Sequence, residues 1–207
     1  MARIFLIGFN KCGTTSFHAF FQANGIASVH WYGNELARCL RRNCRLPGVP
    51  PLWRIDRWQA YGDLIAVPGT PWDAARPYRG PLIEANTLFA RLHRAYPLSL
   101  FILNTRDPAD WVRSRLAHDQ GRFAQAYLQA LRHRGVTSLE ALQQHWLQQW
   151  HQHHHNVRTY FDQRPQARFL EFALGRSDPQ QLIDLLQQQT PIAAPVFPHA
   201  HRSAPQP

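Results

Sequence analysis

The sequence has no long apolar run and few cysteines. Its first apolar run, residues 4–7, ends at Gly8 and is too short for the hydrophobic region of a signal peptide or for a membrane span. Three cysteines, at positions 12, 39 and 44, are too sparse for a disulfide framework. Cys39 and Cys44 also lack the second pair of ligands that a zinc site needs. We therefore expect a cytoplasmic protein with reduced thiols and no membrane span.

Acidic residues are also few. The chain has 13 Asp and Glu against 23 Lys and Arg, which gives a net charge of +10. This balance favours an anionic partner, such as a nucleotide, a sulfated or phosphorylated substrate, nucleic acid or a membrane surface. The 207 residues suffice for one domain, and an apolar content of 44% with twelve Phe and seven Trp excludes wholesale disorder.

Strand and helix patterns alternate along the chain. Apolar runs of strand length lie at residues 3–7, 27–31, 63–67, 98–103 and 168–172. Helical spacing between them predicts helices that begin after Gly13, near residues 34 and 83, at the Asp-Pro pairs 107–108 and 178–179, and at Thr137, where Glu140 completes a capping box. Such alternation predicts an α/β fold with a mostly parallel central sheet and helices on both faces.

The segment between the first strand and the first helix suits a phosphate group. Residues 8–16 read Gly-Phe-Asn-Lys-Cys-Gly-Thr-Thr-Ser. A turn at this position aims free backbone N–H groups and the positive end of the helix dipole at one point. Gly8 and Gly13 have the spacing of a triphosphate P-loop, but Thr14 replaces that motif's lysine, and Lys11 lies inside the loop. A Gly/Thr turn that merely joins strand to helix is the alternative.

Residues 11–16 resemble the 5'-phosphosulfate loop of sulfotransferases that use 3'-phosphoadenosine 5'-phosphosulfate (PAPS). In that family a K-x-G-T-T/S run binds the 5'-phosphate and the sulfuryl group. The resemblance therefore implies that the cofactor's 5' end is bound by Lys11, Cys12, Gly13, Thr14, Thr15 and Ser16. The family's usual aromatic residue after the loop threonines is replaced by Ser16, so adenine would have to stack elsewhere.

The family's second signature is an arginine at the end of a central strand with a serine eight residues later. Arg106 and Ser114 have this spacing, after the strand predicted at 98–103. In the family these side chains hold the 3'-phosphate. The chemistry agrees, since a guanidinium gives bidentate donors to phosphate and a nearby hydroxyl adds another.

The C-terminal segment offers a weaker match. Residues 197–202 are similar to an F-P-H-x-N-K/R segment of some small bacterial sulfotransferases, although His201 stands in place of Asn. The resemblance thus assigns only Arg202 to the 3'-phosphate, and a basic tail without this role is the alternative. We expect a single sulfotransferase domain over residues 1–189, with the three-layer sandwich of P-loop nucleotide kinases. A Pro-rich tail over 190–207 would fold onto the nucleotide site.

The resemblance implies transfer of a sulfuryl group from PAPS to a hydroxyl or amine of a small-molecule or glycan acceptor. The displacement is in-line, and 3'-phosphoadenosine 5'-phosphate (PAP) leaves. Lys11 and the loop N–H groups would stabilise charge on the leaving phosphate. Because a sulfuryl group carries less charge than a terminal phosphoryl group, no metal is required.

An acceptor hydroxyl also needs a general base. His30 ends the second predicted strand, where heparan-type sulfotransferases place a catalytic glutamate at a similar distance from the loop lysine. Asp63 resembles an acid found between the two nucleotide motifs of related bacterial sequences. Glu35 and His118 are weaker candidates. A strand-end histidine satisfied by backbone is the alternative for His30.

Histidines cluster in the predicted long helix, but they do not form a complete metal site. His151 and His155 share a helix face, and no third ligand is identifiable. His154 falls near the apolar stripe and is interpreted as a core residue. Trp146 and Trp150 fit helix packing better than an acceptor platform.

Two other functions stay open. A small-molecule kinase with a degenerate P-loop would need Mg-ATP, and Lys11 is in the wrong place for it. A basic nucleic-acid-binding module would explain the net charge, but no RNP, helix-turn-helix or zinc-finger pattern is present. We therefore predict an enzyme with no nucleic-acid partner.

Overall fold

The computed structural model describes residues 2–69 and 78–198, and every structural statement below concerns these residues. Strands and helices alternate in it, except for three successive strands over residues 60–84 and three successive α-helices over residues 108–162. Short 3-10 turns lie at Ala85–Leu88, His118–Gly121 and Arg132–Arg134. The elements are, in order, β1 Ile4–Leu6, α1 Thr14–Ala23, β2 Ser28–His30, α2 Glu35–Asn43, β3 Ala60–Gly62, β4 Ile65–Ala66, β5 Ile83–Glu84, α3 Phe89–Ala95, β6 Leu100–Thr105, α4 Pro108–Leu116, α5 Arg122–Leu131, α6 Leu139–Asp162, β7 Phe169–Ala173 and α7 Pro179–Gln187.

Five strands form a parallel central sheet in the order β2-β3-β1-β6-β7. Strands β4 and β5 pair separately as an antiparallel ribbon. The predicted α/β class, with a mostly parallel sheet flanked by helices, is confirmed. Since all five strands point the same way, the loops that follow β1, β2, β3 and β6 meet at one edge of the sheet.

The central strand β6 shows how the sheet is covered on both faces. Leu100 and Ile102 pack into a cluster with residues of α1 and α7. The alternate residues, Phe101 and Leu103, pack into a cluster with residues of α2, α3 and α6. This alternation is expected because successive side chains of a strand point to opposite faces. All four are fully buried, which anchors the strand that leads to Arg106.

A third cluster lies beyond the sheet edge, where the loop after β1 meets α4, α5 and α6. Phe9 of the loop packs there with Trp111, Phe123, Tyr127 and Trp146, all buried. Burial of several large aromatic side chains contributes about 1.5–3 kcal/mol each. The loop is therefore part of a packed core on one side.

The strand predicted at residues 63–67 is wrong in its bounds. The strand that joins the central sheet is β3, Ala60–Gly62, and Asp63 follows it in a left-handed turn with φ 55°. Residues 65–66 then pair with β5 instead. The apolar run is real, but it belongs to the small ribbon. Because the apolar run begins only at Asp63, it gave no indication of the three-residue strand β3 before it.

Two helix starts also differ from the prediction. The helix predicted to begin at Ile83 begins at Phe89, because residues 83–84 form β5 and a 3-10 turn follows. The N-cap of α6 is Ser138, whose Oγ accepts a hydrogen bond of 3.1 Å from the Ala141 N–H. The cap is therefore not Thr137. No helix in the described ranges is long and apolar enough to cross a membrane.

The segment after α7 packs on the core as far as it is described. Phe197 is buried, and its ring centroid lies 4.9 Å from that of Phe17 and 5.1 Å from that of Phe172. Asn24 exchanges two hydrogen bonds with the backbone of Ala194. This segment therefore runs along α1, the helix that follows the Gly8–Gly13 loop.

Candidate active site

A buried asparagine from the neighbouring strand holds the loop after β1. The Gly8 N–H donates to Asn104 Oδ1 at 2.9 Å, and Asn104 Nδ2 donates to the Cys12 carbonyl at 3.1 Å. A Cβ on Gly8 would lie 1.8 Å from the Asn104 carbonyl oxygen, so only glycine fits this close approach. The side chain that fixes the loop thus comes from the end of β6.

A buried arginine holds the middle of the same loop. Arg115 Nε donates to Asn10 Oδ1 at 2.8 Å, and its Nη2 lies 2.9 Å from Glu84 Oε1. Trp111 Nε1 donates to the Asn10 carbonyl at 2.9 Å. Arg115 is fully buried, and the rings of the surrounding aromatic side chains add cation–π contacts. Asn10 is therefore fixed through both its backbone and its side chain.

The loop ends at an α-helix N-terminus that carries no side-chain cap. Gly13 is the N-cap, with φ 78°, and as a glycine it gives the first turn of α1 no side-chain cap. Thr14 and Ser16 in that turn are buried. Burial raises the pKa of the Cys12 thiol to about 12, so Cys12 offers its backbone N–H rather than a thiolate. The N–H groups of the first helical turn have no carbonyl partner within the helix, so a helix start suits an anion.

Lys11 stands at the centre of the site and is the single lysine of the chain. Its backbone is left-handed, with φ 64°, a conformation that costs a non-glycine residue about 1–2 kcal/mol. Its Nζ lies 3.4 Å from His118 Nδ1, and Arg106 Nη1 donates to its carbonyl at 3.2 Å. Burial, followed by the Arg106 charge, lowers the pKa of Lys11, and the charge of Asp63 opposes this.

The two base candidates lie together beside Lys11. His30 Nε2 is 3.0 Å from Thr14 Oγ1 and 3.3 Å from Asp63 Oδ2. Burial raises the pKa of Asp63, and the charges of His30 and Lys11 act in the opposite direction. Strands β2 and β3 are neighbours in register, with His30 opposite Gly62, so Asp63 follows directly beside His30. The sheet thus brings an imidazole and a carboxylate together at the loop.

His118 completes this group from the 3-10 turn that follows α4. Burial, and then the charge of Lys11, lower the pKa of His118 to about 4, so its ring is neutral near pH 7 and can accept from the Lys11 ammonium. Three consecutive residues after it, at 119–121, have positive φ values between 52° and 84°. Such strained backbone clusters at functional sites. From the sequence, His118 was a weaker candidate for the general base than His30, yet both side chains contact residues at the loop.

The second nucleotide motif reaches the loop through its arginine. Arg106 follows β6 directly and contacts the backbone of Lys11. Ser114 is half-buried on α4, whose N-cap Asp107 accepts from the N–H groups of residues 109 and 110. Arg202, the third residue assigned to the 3'-phosphate, lies outside the described residues. Arg106 of the second motif is therefore in contact with the loop that forms the first motif.

Other sequence candidates lie outside this group. Glu35 is partly buried and pairs with Arg38. His153 and His154 are buried in the core, and the sequence had predicted this for His154. The Nε2 atom of His154 lies within hydrogen-bond distance, 2.7 Å, of Thr105 Oγ1. Burial lowers the pKa of His154 to about 3. Among the described residues no group of three His, Cys, Asp or Glu side chains could hold a metal ion.

Three residues that support the loop were not identified from the sequence: Asn104, Arg115 and Glu84. Asn104 carried a weak signal, since it is a polar residue at the end of an otherwise apolar strand. Arg115 and Glu84 carried none, because an arginine on a helix and a glutamate before one are ordinary surface residues. Their roles depend on contacts between distant segments.

The fold and the site define an α/β protein in which a loop between its first strand and first helix is held by β6 and α4. A family model described as a sulfotransferase domain matches residues 83–205, more than half of the chain. The chain therefore belongs to the sulfotransferase domain family. The match includes Arg106, Ser114 and Arg202 but begins after the loop that holds Lys11. No curated protein matches the chain significantly.

Proposed function

We propose that this sulfotransferase uses PAPS and transfers its sulfuryl group to a hydroxyl of a small acceptor. The observation that carries the proposal is the contact between Arg106 and the backbone of Lys11, two residues before the N-cap of α1. This contact brings the arginine proposed to bind the 3'-phosphate against the loop proposed to bind the 5'-phosphosulfate. Family membership supports sulfuryl transfer in general, and these residues support PAPS as the donor.

The loop fits the 5' end of PAPS by charge and by shape. The first N–H groups of α1 and the Lys11 ammonium are all donors, and an anion at a helix N-terminus is favoured by the helix dipole. Lysine suits this place because its compact ammonium can point at a single oxygen, whereas a guanidinium needs a wider fork. Arg106 and Ser114, and Arg202 from the tail, are the donors proposed for the 3'-phosphate.

In the proposed reaction, the acceptor oxygen forms a bond to sulfur while the bond between sulfur and the bridging phosphate oxygen breaks. The electron pair of that bond leaves with PAP, and the acceptor proton passes to a base. Lys11 and the loop N–H groups stabilise the charge on the bridging oxygen. No step requires a second cation, because the charge that develops is compensated by these fixed donors.

His30 is the proposed base, and Asp63 is proposed to orient it. The Nε2 atom of His30 already faces Thr14 and Asp63, so Nδ1 is the nitrogen that can take a proton from an acceptor. The Oδ1 atom of Asp63 is buried, so an acceptor cannot reach it without displacement of its surroundings. A carboxylate beside the ring stabilises the imidazolium that forms.

Nucleotide binding separates the candidate functions. PAP without Mg²⁺ should raise the melting temperature of the wild type, by an amount that grows with PAP concentration, and should have little effect on Lys11→Ala. A response to Mg-ATP alone would indicate a kinase. A response to an oligonucleotide with steep salt dependence would indicate a nucleic-acid-binding module.

The single lysine allows a direct second measurement. Reductive methylation modifies amines, so in this chain it can report only Lys11 and the N-terminal amine. PAP should slow methylation of Lys11 severalfold and leave the N-terminal amine unchanged. Equal rates with and without PAP would contradict the proposed place of the 5'-phosphate.

A further inference from the structure

Arginines form a stripe along the exposed side of α2. Three of them, Arg38, Arg41 and Arg42, belong to the helix itself. Arg45 directly follows the C-cap of α2, and its N–H donates to the Arg42 carbonyl at 3.0 Å. Such spacings place side chains on one face of a helix. The opposite face of α2, with two leucines and an alanine, is buried, so the arginines lie along the outer surface of the protein.

The segment after α2 adds exposed apolar side chains to this stripe. Leu46 follows Arg45 and is 44% exposed, and Trp53 is 42% exposed. Asn43, the last residue of α2, is fully buried, and its Nδ2 donates to the carbonyls of Pro51 and Trp53 at 2.9 Å each. These two hydrogen bonds fold the segment back against the end of α2, so Trp53 lies at the C-terminal end of the stripe.

Two guanidinium groups contact the ring of Trp53. The Cζ atom of Arg54 lies 4.3 Å from the ring centroid, and the Cζ atom of Arg42 lies 5.7 Å from it. A cation at such a distance from an indole ring is attracted by the electrons of its face. The exposed indole is therefore joined to the arginine stripe in one amphipathic surface.

Most of the positive charge of this surface is not compensated by the protein itself. Arg38 forms an ion pair with Glu35. Asp56, two residues after Arg54, pairs with Arg3. In the part of the chain that the structure describes, no carboxylate pairs with the four other arginines of this surface, Arg41, Arg42, Arg45 and Arg54. A partner with several negative charges would neutralise them.

The combination of positive charge with exposed apolar groups indicates an anionic phospholipid surface. Arginine binds phosphate oxygens, tryptophan is favoured at the level of the lipid headgroups, and leucine gains free energy when it leaves water for the edge of the acyl chains. A nucleic acid would neutralise the same arginines, but it would leave Leu46 in water. The apolar side chains therefore favour a bilayer over a nucleic acid.

We propose that this surface docks on a bilayer that contains anionic phospholipids. We call it the α2 surface, and its members are Arg41, Arg42, Arg45, Leu46, Trp53 and Arg54. The guanidinium groups bind lipid phosphates, and the leucine and tryptophan side chains enter the headgroup layer. Docking of this kind is peripheral, and it would hold the enzyme at a membrane whichever sulfuryl donor it uses.

Cosedimentation of the full chain with vesicles tests this docking. Vesicles of phosphatidylcholine alone are compared with vesicles of equal parts phosphatidylcholine and phosphatidylglycerol, and only the second kind should bind the protein. The double variant Arg41→Gln, Arg45→Gln should bind about twentyfold more weakly, because each arginine near an anionic surface contributes about fivefold. The double variant Arg132→Gln, Arg134→Gln is the matched control. It removes the same charge from an exposed turn after α5 and should bind like the wild type.

A second pair of variants tests the apolar part of the α2 surface. Leu46→Gln should weaken binding to the anionic vesicles by about tenfold, because a leucine side chain that leaves water contributes at least this much. Leu98→Gln, at an exposed leucine before β6, is the control and should change nothing. Since both leucines are exposed, neither substitution should lower the melting temperature, and circular dichroism checks that folding is retained.

Three results would each overturn the proposal: equal binding to the two kinds of vesicle, an equal effect of the two arginine variants, or wild-type binding by Leu46→Gln. A labelled RNA oligonucleotide is titrated into the same samples. If it binds, and loses affinity with Arg41→Gln, Arg45→Gln but not with Leu46→Gln, while the vesicles do not bind, the surface takes nucleic acid and the membrane proposal is wrong. The effect of PAP on the melting temperature is measured separately, so failure of the docking leaves the proposed donor in place.

Discussion

At the scale of single residues, His30 and Asp63 form the contact on which proton removal would depend. They come from neighbouring parallel strands, and their side chains meet at 3.3 Å beside Thr14 of the loop. The half-buried imidazole has a nitrogen outside these contacts, whereas one oxygen of the more deeply buried carboxylate faces His30 and the other is enclosed. This asymmetry assigns the base to His30 and the orienting role to Asp63.

The catalytic rates of two variants can test this assignment. With His30 as base, His30→Gln should lower kcat/KM by about 10²–10⁴-fold. Asp63→Asn should cost less, because the ring keeps its own nitrogen for the proton and loses only the neighbouring carboxylate. The measurement is kcat/KM for each variant.

Glu35→Gln is the matched control for these variants, since Glu35 was also a sequence candidate but is paired with Arg38. Its kcat/KM should equal that of the wild type. If Asp63→Asn lost far more activity than His30→Gln, the carboxylate would be the base.

At the scale of elements, the loop is rigid because two other elements, β6 and α4, hold it. Asn104 at the end of β6 binds its first and fifth residues, and Trp111 and Arg115 of α4 bind Asn10. Donors fixed in this way need little reorganisation when charge develops on a ligand. The left-handed backbone of Lys11 is maintained by the same contacts.

The order strand, loop, helix was predictable because each part has a local signal: an apolar run, glycines at fixed spacing, and Phe17, Phe20 and Phe21 on one helix face. The three-residue strand β3 has no such signal, since its register is set by pairing with β1 and β2. The buried role of Arg115 was likewise not predictable, because its partners Asn10 and Glu84 are distant in sequence.

The start of α6 illustrates how a local pattern can miss by one residue. Thr137 and Glu140 satisfy the capping-box spacing, but Ser138 makes the capping bond to the Ala141 N–H. Ser138→Ala should therefore lower the free energy of unfolding by about 0.5–2 kcal/mol. Thr137→Ala, the adjacent control, should change it much less. Urea denaturation measures both, and a larger loss for Thr137→Ala would restore the capping box predicted from the sequence.

At the scale of the whole molecule, the two nucleotide motifs come from different parts of the chain. The family match over residues 83–205 contains the arginine–serine pair, whereas Lys11 lies before it. The parallel sheet brings them together, because β1 and β6 are adjacent and their loops leave the same edge. Substitutions in the loop after β1 are therefore expected to alter the proposed transfer site and to leave the arginine–serine pair in place.

The sequence predicted that the domain ends at residue 189 of the chain. Phe197 lies beyond this boundary, yet its ring is buried against the domain. A chain ending at Gln189 would lose the contacts of Phe197 with Phe17 and Phe172, and removal of a buried phenylalanine costs about 3–5 kcal/mol. A chain ending at Pro198 keeps this ring and lacks Arg202. The two truncations therefore separate the structural part of the tail from its proposed ligand contact.

We expect the chain ending at Pro198 to melt at the wild-type temperature and to bind PAP about tenfold or more weakly, because a charged hydrogen bond to the 3'-phosphate is lost. Binding of AMP, which has no 3'-phosphate, should not change. Arg202→Gln in the full chain should reproduce this selective loss. An equal loss for PAP and AMP would instead indicate that the tail supports the loop through α1, against which Phe197 packs.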